Sequence, residues 1–172
     1  MQVPAFPPDE ALRVETLREL LILDTPPEAR FDNLTRAAAA FFRVQVAVVS
    51  LIDAKRQWFK SACGLDAKET ARDISFCGHA ILQDEVFVIE DARSDERFFD
   101  NPLVLGDPQI RFYAGAPLKV RNGMNLGTLC LIDPAPRKLQ DFEIEMLADM
   151  AGLVVQELEL ELERVKVEVV VA

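Results

Sequence analysis

From Val44 to Ile52 the chain is a nearly continuous apolar run rich in β-branched side chains, and nothing else in it limits the fold so tightly. That composition belongs to a strand buried at the centre of a sheet, where both faces are dry. The residues that follow supply a partner. Asp53-Ala54-Lys55 suits a tight turn, and Arg56 to Cys63 alternates as a returning strand with Trp58 and Lys60 on one face.

Around this pair the hydrophobic period changes. Asp9 to Asp24 reads as a helix, with Leu12, Leu17, Leu20 and Leu21 at helical spacing and Asp9 as N-cap. Asp24-Thr25-Pro26-Pro27 breaks it, and a second helix from Thr25 or Pro26 to about Phe42 sets Phe31, Leu34, Ala38 and Phe41 on one face. Gly64 to Asp73 is polar and loop-like. A short helix at Ser75 to Leu82 and a strand at Val86 to Glu90 come next. Asp91 to Gln109 is an irregular crossover with one helical turn. Arg111 to Val120 and Leu126 to Ile132 form two strands joined around Arg121-Asn122-Gly123, a hairpin signal. From Leu139 to about Glu163 an amphipathic helix closes the chain. The order specifies an α+β fold, an antiparallel sheet with helices on at least one face. No internal linker interrupts it, so residues 1–172 are expected to form one domain, with a core at about 12–159 and 160–172 as a helical extension or tail.

Charge narrows the partners. Nineteen Lys and Arg against 29 Asp and Glu give a net charge of −10, which argues against a nucleic-acid grip and against docking on anionic lipid. Three cysteines, Cys63, Cys77 and Cys130, are widely spaced with no CxxC pair, so neither a disulfide scaffold nor a zinc site is expected. Met1 to Asp9 lacks the pattern of a signal peptide, and no apolar run reaches the roughly 18–20 residues that cross a bilayer. The expectation is a cytoplasmic protein with no membrane partner.

Two stretches concentrate chemistry. Ile74-Ser75-Phe76-Cys77-Gly78-His79-Ala80-Ile81 holds the only histidine two residues from a cysteine. On a helix those two side chains diverge by about 200° and do not form a nucleophile–base pair. The plainer alternative makes Cys77 a small core residue and His79 a hydrogen-bonding one. Ile110-Arg111-Phe112-Tyr113-Ala114-Gly115-Ala116-Pro117-Leu118 sets a cation, two aromatics and small residues along one strand. Arg111 suits either an anionic ligand or a neighbouring carboxylate, Phe112 suits the core, and small residues allow close approach to a ligand or a backbone. Phosphate loops, HExxH and GxSxG motifs are absent. No catalytic or metal residue is assigned, and no cofactor is specified.

The closing helix differs from both. Leu147, Met150, Val154, Leu158, Leu162, Val165 and Val169 recur at intervals of three and four, beyond the length a core of this size needs. Its distal part either meets a partner helix, making a homodimer with help from the first helix, or frays at Val167 to Val171. Most of the negative charge is here: eight acids between Leu139 and Arg164 face Arg164 alone, while the rest of the chain is nearly balanced.

Several blocks, in order, resemble the GAF domain of bacterial signalling proteins. They are Leu21-Ile22-Leu23-Asp24-Thr25-Pro26-Pro27, Val48-Val49-Ser50-Leu51-Ile52-Asp53, Arg56-Gln57-Trp58-Phe59-Lys60-Ser61, the Ile74–Ile81 and Arg111–Leu118 stretches, and Leu126-Gly127-Thr128-Leu129-Cys130-Leu131-Ile132-Asp133. The resemblance runs from Leu12 to Glu159. It implies a PAS-like antiparallel sheet of five or six strands, with helices from both chain ends on one face and a ligand pocket on the other. Such domains bind cyclic nucleotides, tetrapyrroles, haem or small metabolites, and pass the change to kinase or cyclase modules. Carried onto this chain, the pocket lining is Phe76, Cys77, His79, Arg111, Phe112, Tyr113 and Thr128, with Trp58 and Lys60 near its mouth. Gly78 separates Cys77 from His79, where bilin-binding relatives have Cys and His adjacent. The Asn-Lys-Phe-Asp type of signature of cyclic-nucleotide-binding relatives is absent.

The reading that follows is a small-molecule sensor that signals through its terminal helices. With forty residues after Ile132, it is expected to be a stand-alone sensor or a fragment of one. Two alternatives stand beside it: a cysteine-based redox enzyme similar to the GAF-fold free methionine sulfoxide reductase, which needs Cys77 and Cys130 to approach on folding, and a ligand-free dimerisation module.

Overall fold

A computed structural model describes all residues, 1–172. The apolar run is the central strand β1 (Val46–Ile52), buried at every position. It pairs with β2 (Arg56–Cys63) on one edge and with β6 (Asn125–Asp133) on the other. With β3 (Glu69–Ala71), β4 (Phe87–Ile89) and β5 (Phe112–Lys119) these form one antiparallel six-stranded sheet of order β3-β2-β1-β6-β5-β4. The α+β architecture expected from the sequence is the one observed.

Strand alternation sorts the side chains onto two faces. Ala47, Val49 and Leu51 of β1, Phe112, Ala114, Ala116 and Leu118 of β5, and Leu129 and Leu131 of β6 face one way, into a cluster of 24 buried residues. Helices α1 (Glu10–Glu19), α2 (Ala29–Phe42) and α5 (Asp141–Val171) cover that face through Leu17, Phe31, Ala38, Leu147, Val154 and Leu158. Val46, Val48 and Ile52, with Tyr113 and Cys130, face the other way into a cluster of 15. Short elements cover this second face: α3 (Phe76–Ala80), one turn α4 (Pro102–Leu105), and 3-10 turns at Arg72–Ile74 and Ala92–Ser94.

Several boundaries differ from the sequence reading for identifiable reasons. The first helix stops at Glu19 rather than Asp24, because Leu21 and Asp24 take positive φ of 51° and 62°. The second starts at Ala29, after Pro26 and Pro27. The loop-like stretch from Gly64 contains β3, a three-residue strand paired with Arg56–Trp58 and too short to show a period. The last helix continues without a break to Val171, although its deepest distal residue is Leu158. Gln140 and Glu143 close a reciprocal capping box at its start.

Candidate functional site

The second face of the sheet is incompletely filled. Between it, α3 and the crossover lies a cavity of about 190 Å³, floored by Cys77, Tyr113 and Cys130 and walled by apolar side chains that include Phe59, Phe76 and Ile110. Gln57, Thr70 and Asp107 add polar groups, and the exposed rim residues Ala67 and Asp107 bring the cavity to the surface.

Local sequence sets the position of Cys77. Ser75 caps α3: its hydroxyl accepts from the Gly78 amide at 3.1 Å and donates to the Arg72 carbonyl at 2.6 Å. That fixes the rotation of the short helix and turns Cys77 onto the sheet. The helical divergence expected between Cys77 and His79 is realised. The His79 Nε2 lies 3.0 Å from the Gln2 carbonyl oxygen, with the ring edge-on to Phe98, and burial lowers its pKa from the ordinary value.

Hydroxyls surround the Cys77 sulfur. Tyr113 Oη and Thr128 Oγ1 each donate to Sγ at 3.2 Å, and the Cys130 Sγ lies 3.8 Å away. Tyr113 reaches it by lying along its own strand across Gly115, where a Cβ would stand 2.2 Å from the phenol oxygen. Burial pushes the Cys77 thiol up, but donation from Cys130, Thr128, Tyr113 and Ser50 outweighs it and holds the group at about 7. Cys130 and Tyr113 are driven well above their usual values: the hydrogen bond with Cys77 and burial act on the first, and burial and the neighbouring sulfur charge on the second. The Tyr113 and Thr128 hydroxyls thereby favour a thiolate on Cys77 over one on Cys130.

The structure divides the expected pocket residues. Phe76, Cys77 and Tyr113 line the cavity, and Thr128 stands behind Cys77. Trp58, Lys60 and Phe112 do not belong there. Trp58 and Phe112 are in the helix-side cluster, as their strand parity requires. Lys60, two residues on from Trp58, faces the same side by simple alternation, and the register with β1 then shifts so that Ser50 pairs with Phe59 and Val49 with Ser61, leaving Lys60 unpaired in a bulge. Its buried ammonium meets Glu28 at 2.5 Å, the Thr25 hydroxyl and the Pro26 carbonyl at 2.8 Å each, and the Phe31 ring at 5.5 Å. His79 and Arg111 are also outside the lining. The Arg111 guanidinium donates to the Val104 and Ile110 carbonyls at 2.9 and 3.1 Å, so it holds the crossover rather than facing the cavity.

Sequence reasoning missed Val48, Gln57, Cys130 and the loop residues Leu65 and Ala67. Parity offered a signal for two of them, since Val48 and Cys130 are directly paired across β1 and β6. The loop residues carried none. The redox alternative required Cys77 and Cys130 to approach, and they do. No group of three or more His, Cys, Asp or Glu side chains is placed to hold a metal ion, and no helix is long and apolar enough to cross a membrane.

A six-stranded sheet of this order, with helices from both chain ends on one face and a cavity on the other, defines an α+β domain class, and sequence comparison assigns its family. The GAF domain model matches residues 26–158, and the chain belongs to that family. It is 44% identical over 155 residues, 90% of its length, to a cyclic di-GMP phosphodiesterase of Pseudomonas aeruginosa, of which it spans 26%. It superposes on the GAF domain of an Acinetobacter phosphoenolpyruvate-protein phosphotransferase with a TM-score of 0.64 at 18% identity, covering 86% of this chain and 93% of that one. It likewise matches the free methionine-R-sulfoxide reductase of Neisseria meningitidis, solved with its substrate, with a TM-score of 0.65 at 16% identity over 95% and 99% of the two chains. These two structural likenesses speak to fold alone.

Proposed function

We propose that the chain is a sensor in which a small, largely apolar molecule occupies the cavity beneath α3 and changes the packing of the terminal helices. The observation that carries this reading is the cavity itself, on the face opposite α1 and α5. Its 190 Å³ is below the roughly 300–1,000 Å³ typical of drug-sized sites. A tetrapyrrole or a cyclic dinucleotide exceeds it, so a small metabolite is the better occupant. Gln57, Thr70 and Tyr113 supply its few orienting groups.

Strands β1, β5 and β6 carry the signal. Tyr113 and Cys130 face the cavity, while their neighbours Phe112, Ala114, Leu129 and Leu131 pack in the helix-side core. A ligand that prefers one arrangement of the sheet thereby prefers one packing of α5. The exposed Leu160, Val167 and Val169 of the distal helix then pair with a second copy, as a homodimer. A signalling enzyme is the fitting output partner, whether a kinase, a cyclase or a phosphodiesterase of the kind to which this chain is similar.

Thermal-shift titration with a panel of small metabolites tests the reading. A binder at a hundred times its Kd contributes about 2.7 kcal/mol, worth a shift of roughly 5–10 °C in a domain of this size. If no compound small enough for the cavity stabilises the protein, the reading fails. Self-association of the acidic helix should strengthen with salt, since screening relieves like-charge repulsion; weakening with salt in sedimentation would remove the homodimer. A second reading, a cysteine-based reductase, is favoured by the 3.8 Å approach of Cys77 and Cys130, and turnover of methionine sulfoxide that survives Cys77→Ser would dispose of it.

A further inference from the structure

Two buried sulfurs 3.8 Å apart, on separate elements and at the floor of a cavity that reaches the surface, are a juxtaposition that core packing alone does not require. Two hydroxyls aimed at one of them, Tyr113 and Thr128 at 3.2 Å, add a second observation. Thiols are weak hydrogen-bond acceptors and thiolates strong ones, so a sulfur that receives such donors is arranged for its charged form. Cys63, the third cysteine, lines neither this cavity nor this cluster, and is the built-in control.

We infer that Cys77 and Cys130 form a dithiol reaction site that small organic hydroperoxides entering the cavity oxidise to a disulfide. The inference rests on the cavity as a small-molecule site and gives it a chemical input. In the first step the Cys77 thiolate attacks the outer oxygen of the hydroperoxide. A sulfur–oxygen bond forms, the O–O bond breaks, and the alcohol leaves carrying the proton given up by Cys77. Cys77 is then a sulfenic acid. The Cys130 sulfur attacks it, the sulfur–oxygen bond breaks, and water leaves with the Cys130 proton. The two thiols lose two electrons in all, and the O–O bond takes them, giving one disulfide, one alcohol and one water.

The roles are asymmetric because the surroundings are. Cys77 attacks since the hydroxyls stabilise its thiolate; Cys130, whose thiol is held protonated beside it, resolves. The apolar walls favour an alkyl hydroperoxide over hydrogen peroxide, which gives up more hydration on entering. Closing the sulfurs from 3.8 Å to about 2.05 Å draws α3 onto β6. Through Gly78 and His79 that helix also holds the N-terminal segment, at Pro4 and at the Gln2 carbonyl, so the movement has a route to the chain end.

The test is stoichiometric oxidation of the full chain with tert-butyl hydroperoxide, read by intact mass and by mapping of the disulfide-linked peptides. The expected result is loss of two hydrogens, a Cys77–Cys130 cross-link, reversal by dithiothreitol, and no change in Cys63→Ser. Cys130→Ser should stop at a sulfenic acid trapped by dimedone on Cys77. Thr128→Val, which removes one donor without touching either cysteine, should slow thiol loss by about threefold to tenfold at neutral pH, since thiolate fraction falls faster than nucleophilicity rises. Survival of both thiols, oxidation confined to Cys63, or a Thr128→Val rate equal to that of the unaltered chain would overturn the inference. The two proposals separate cleanly. Metabolite binding with a dithiol inert to hydroperoxide would leave the sensor reading standing alone, and cross-linking without any metabolite binding would leave only this one.

Discussion

The two faces of the sheet are built from the same strands and treat space and charge in opposite ways. The helix face holds the larger core, 24 buried residues. Long helices bring many side chains to it, and a cation buried there, Lys60, is met by Glu28, Thr25, Pro26 and Phe31. The other face is roofed by elements of three to five residues. Such short pieces present few side chains each, and where α3 and the crossover fail to meet, a cavity remains. Its polar groups are the Cys77 and Cys130 thiols, the Thr70 and Tyr113 hydroxyls, the Gln57 amide and the rim carboxylate of Asp107, with no ion pair among them. A sheet can thus hold the rigidity of a fold on one side and room for chemistry on the other, and removal of side chains from each side should separate them.

The largest effect is expected on the helix face. Phe31 is fully buried between α2 and the sheet, with the Arg30 and Lys60 cations over its ring at 4.8 and 5.5 Å. Phe31→Ala should cost about 3–5 kcal/mol in chemical denaturation, the usual cost of removing a phenyl ring from a close-packed core. A loss under 1 kcal/mol would mean this face is loosely packed, and the contrast would collapse.

Lys60→Met comes next. The buried ammonium holds Glu28, which burial pushes up but which Lys60 and Arg30 bring below the ordinary carboxylate range. Because Glu28 is half in solvent it can rehydrate once Lys60 is gone, so the loss should be about 2–3 kcal/mol rather than the full cost of an orphaned interior charge. Ligand-induced thermal shifts should be unchanged. Their disappearance would put Lys60 back into the cavity's function.

Lys60 also shows what the sequence could and could not disclose. The strand Arg56–Cys63 was legible to the residue, and simple alternation does place Trp58 and Lys60 on one face. Which face was not legible. That follows from the parity of the β1 register, and a one-residue bulge then keeps Ser61 on the helix side as well, where its hydroxyl meets Thr35 and Asp32 at 2.8 and 2.6 Å. Phe112 and Tyr113 repeat the lesson. Both belonged to a chemically dense stretch, but adjacent strand residues point oppositely, and only Tyr113 reaches the cavity. Cys77 was legible through its short helix. Its encounter with Cys130, 53 positions away, needed the sheet.

At the seam between the faces, Glu10 of α1 binds Arg13 at 2.8 Å and Arg72, the residue that opens the turn into α3. Burial raises the Glu10 pKa, and the two guanidinium groups more than offset it, bringing it from 4.5 to about 2. A carboxylate depressed on folding adds stability above its unfolded pKa, and that stability is lost as pH falls from about 4.5 towards 2. After solvent screening the loss should be about 1–2 kcal/mol. Glu10→Gln should flatten the denaturation midpoint across that window. An unchanged acid limb would show that the seam carries no such load.

The smallest effect belongs to the open face. Leu65 lies on the cavity wall in the loop before β3, half-buried, with the void on one side. A side chain that borders empty space has fewer partner atoms to lose, so the dispersion and transfer terms that penalise Phe31→Ala are both reduced. Leu65→Ala should cost less than about 1 kcal/mol, within reach of an ordinary surface change. Its consequence should appear in selectivity instead: with the wall cut back, the thermal-shift panel should admit larger ligands while those already bound lose apolar contact and weaken. If Leu65→Ala costs as much as Phe31→Ala, the loop closes over the cavity as tightly as the helices close over the other face, and the space beneath α3 is part of the core.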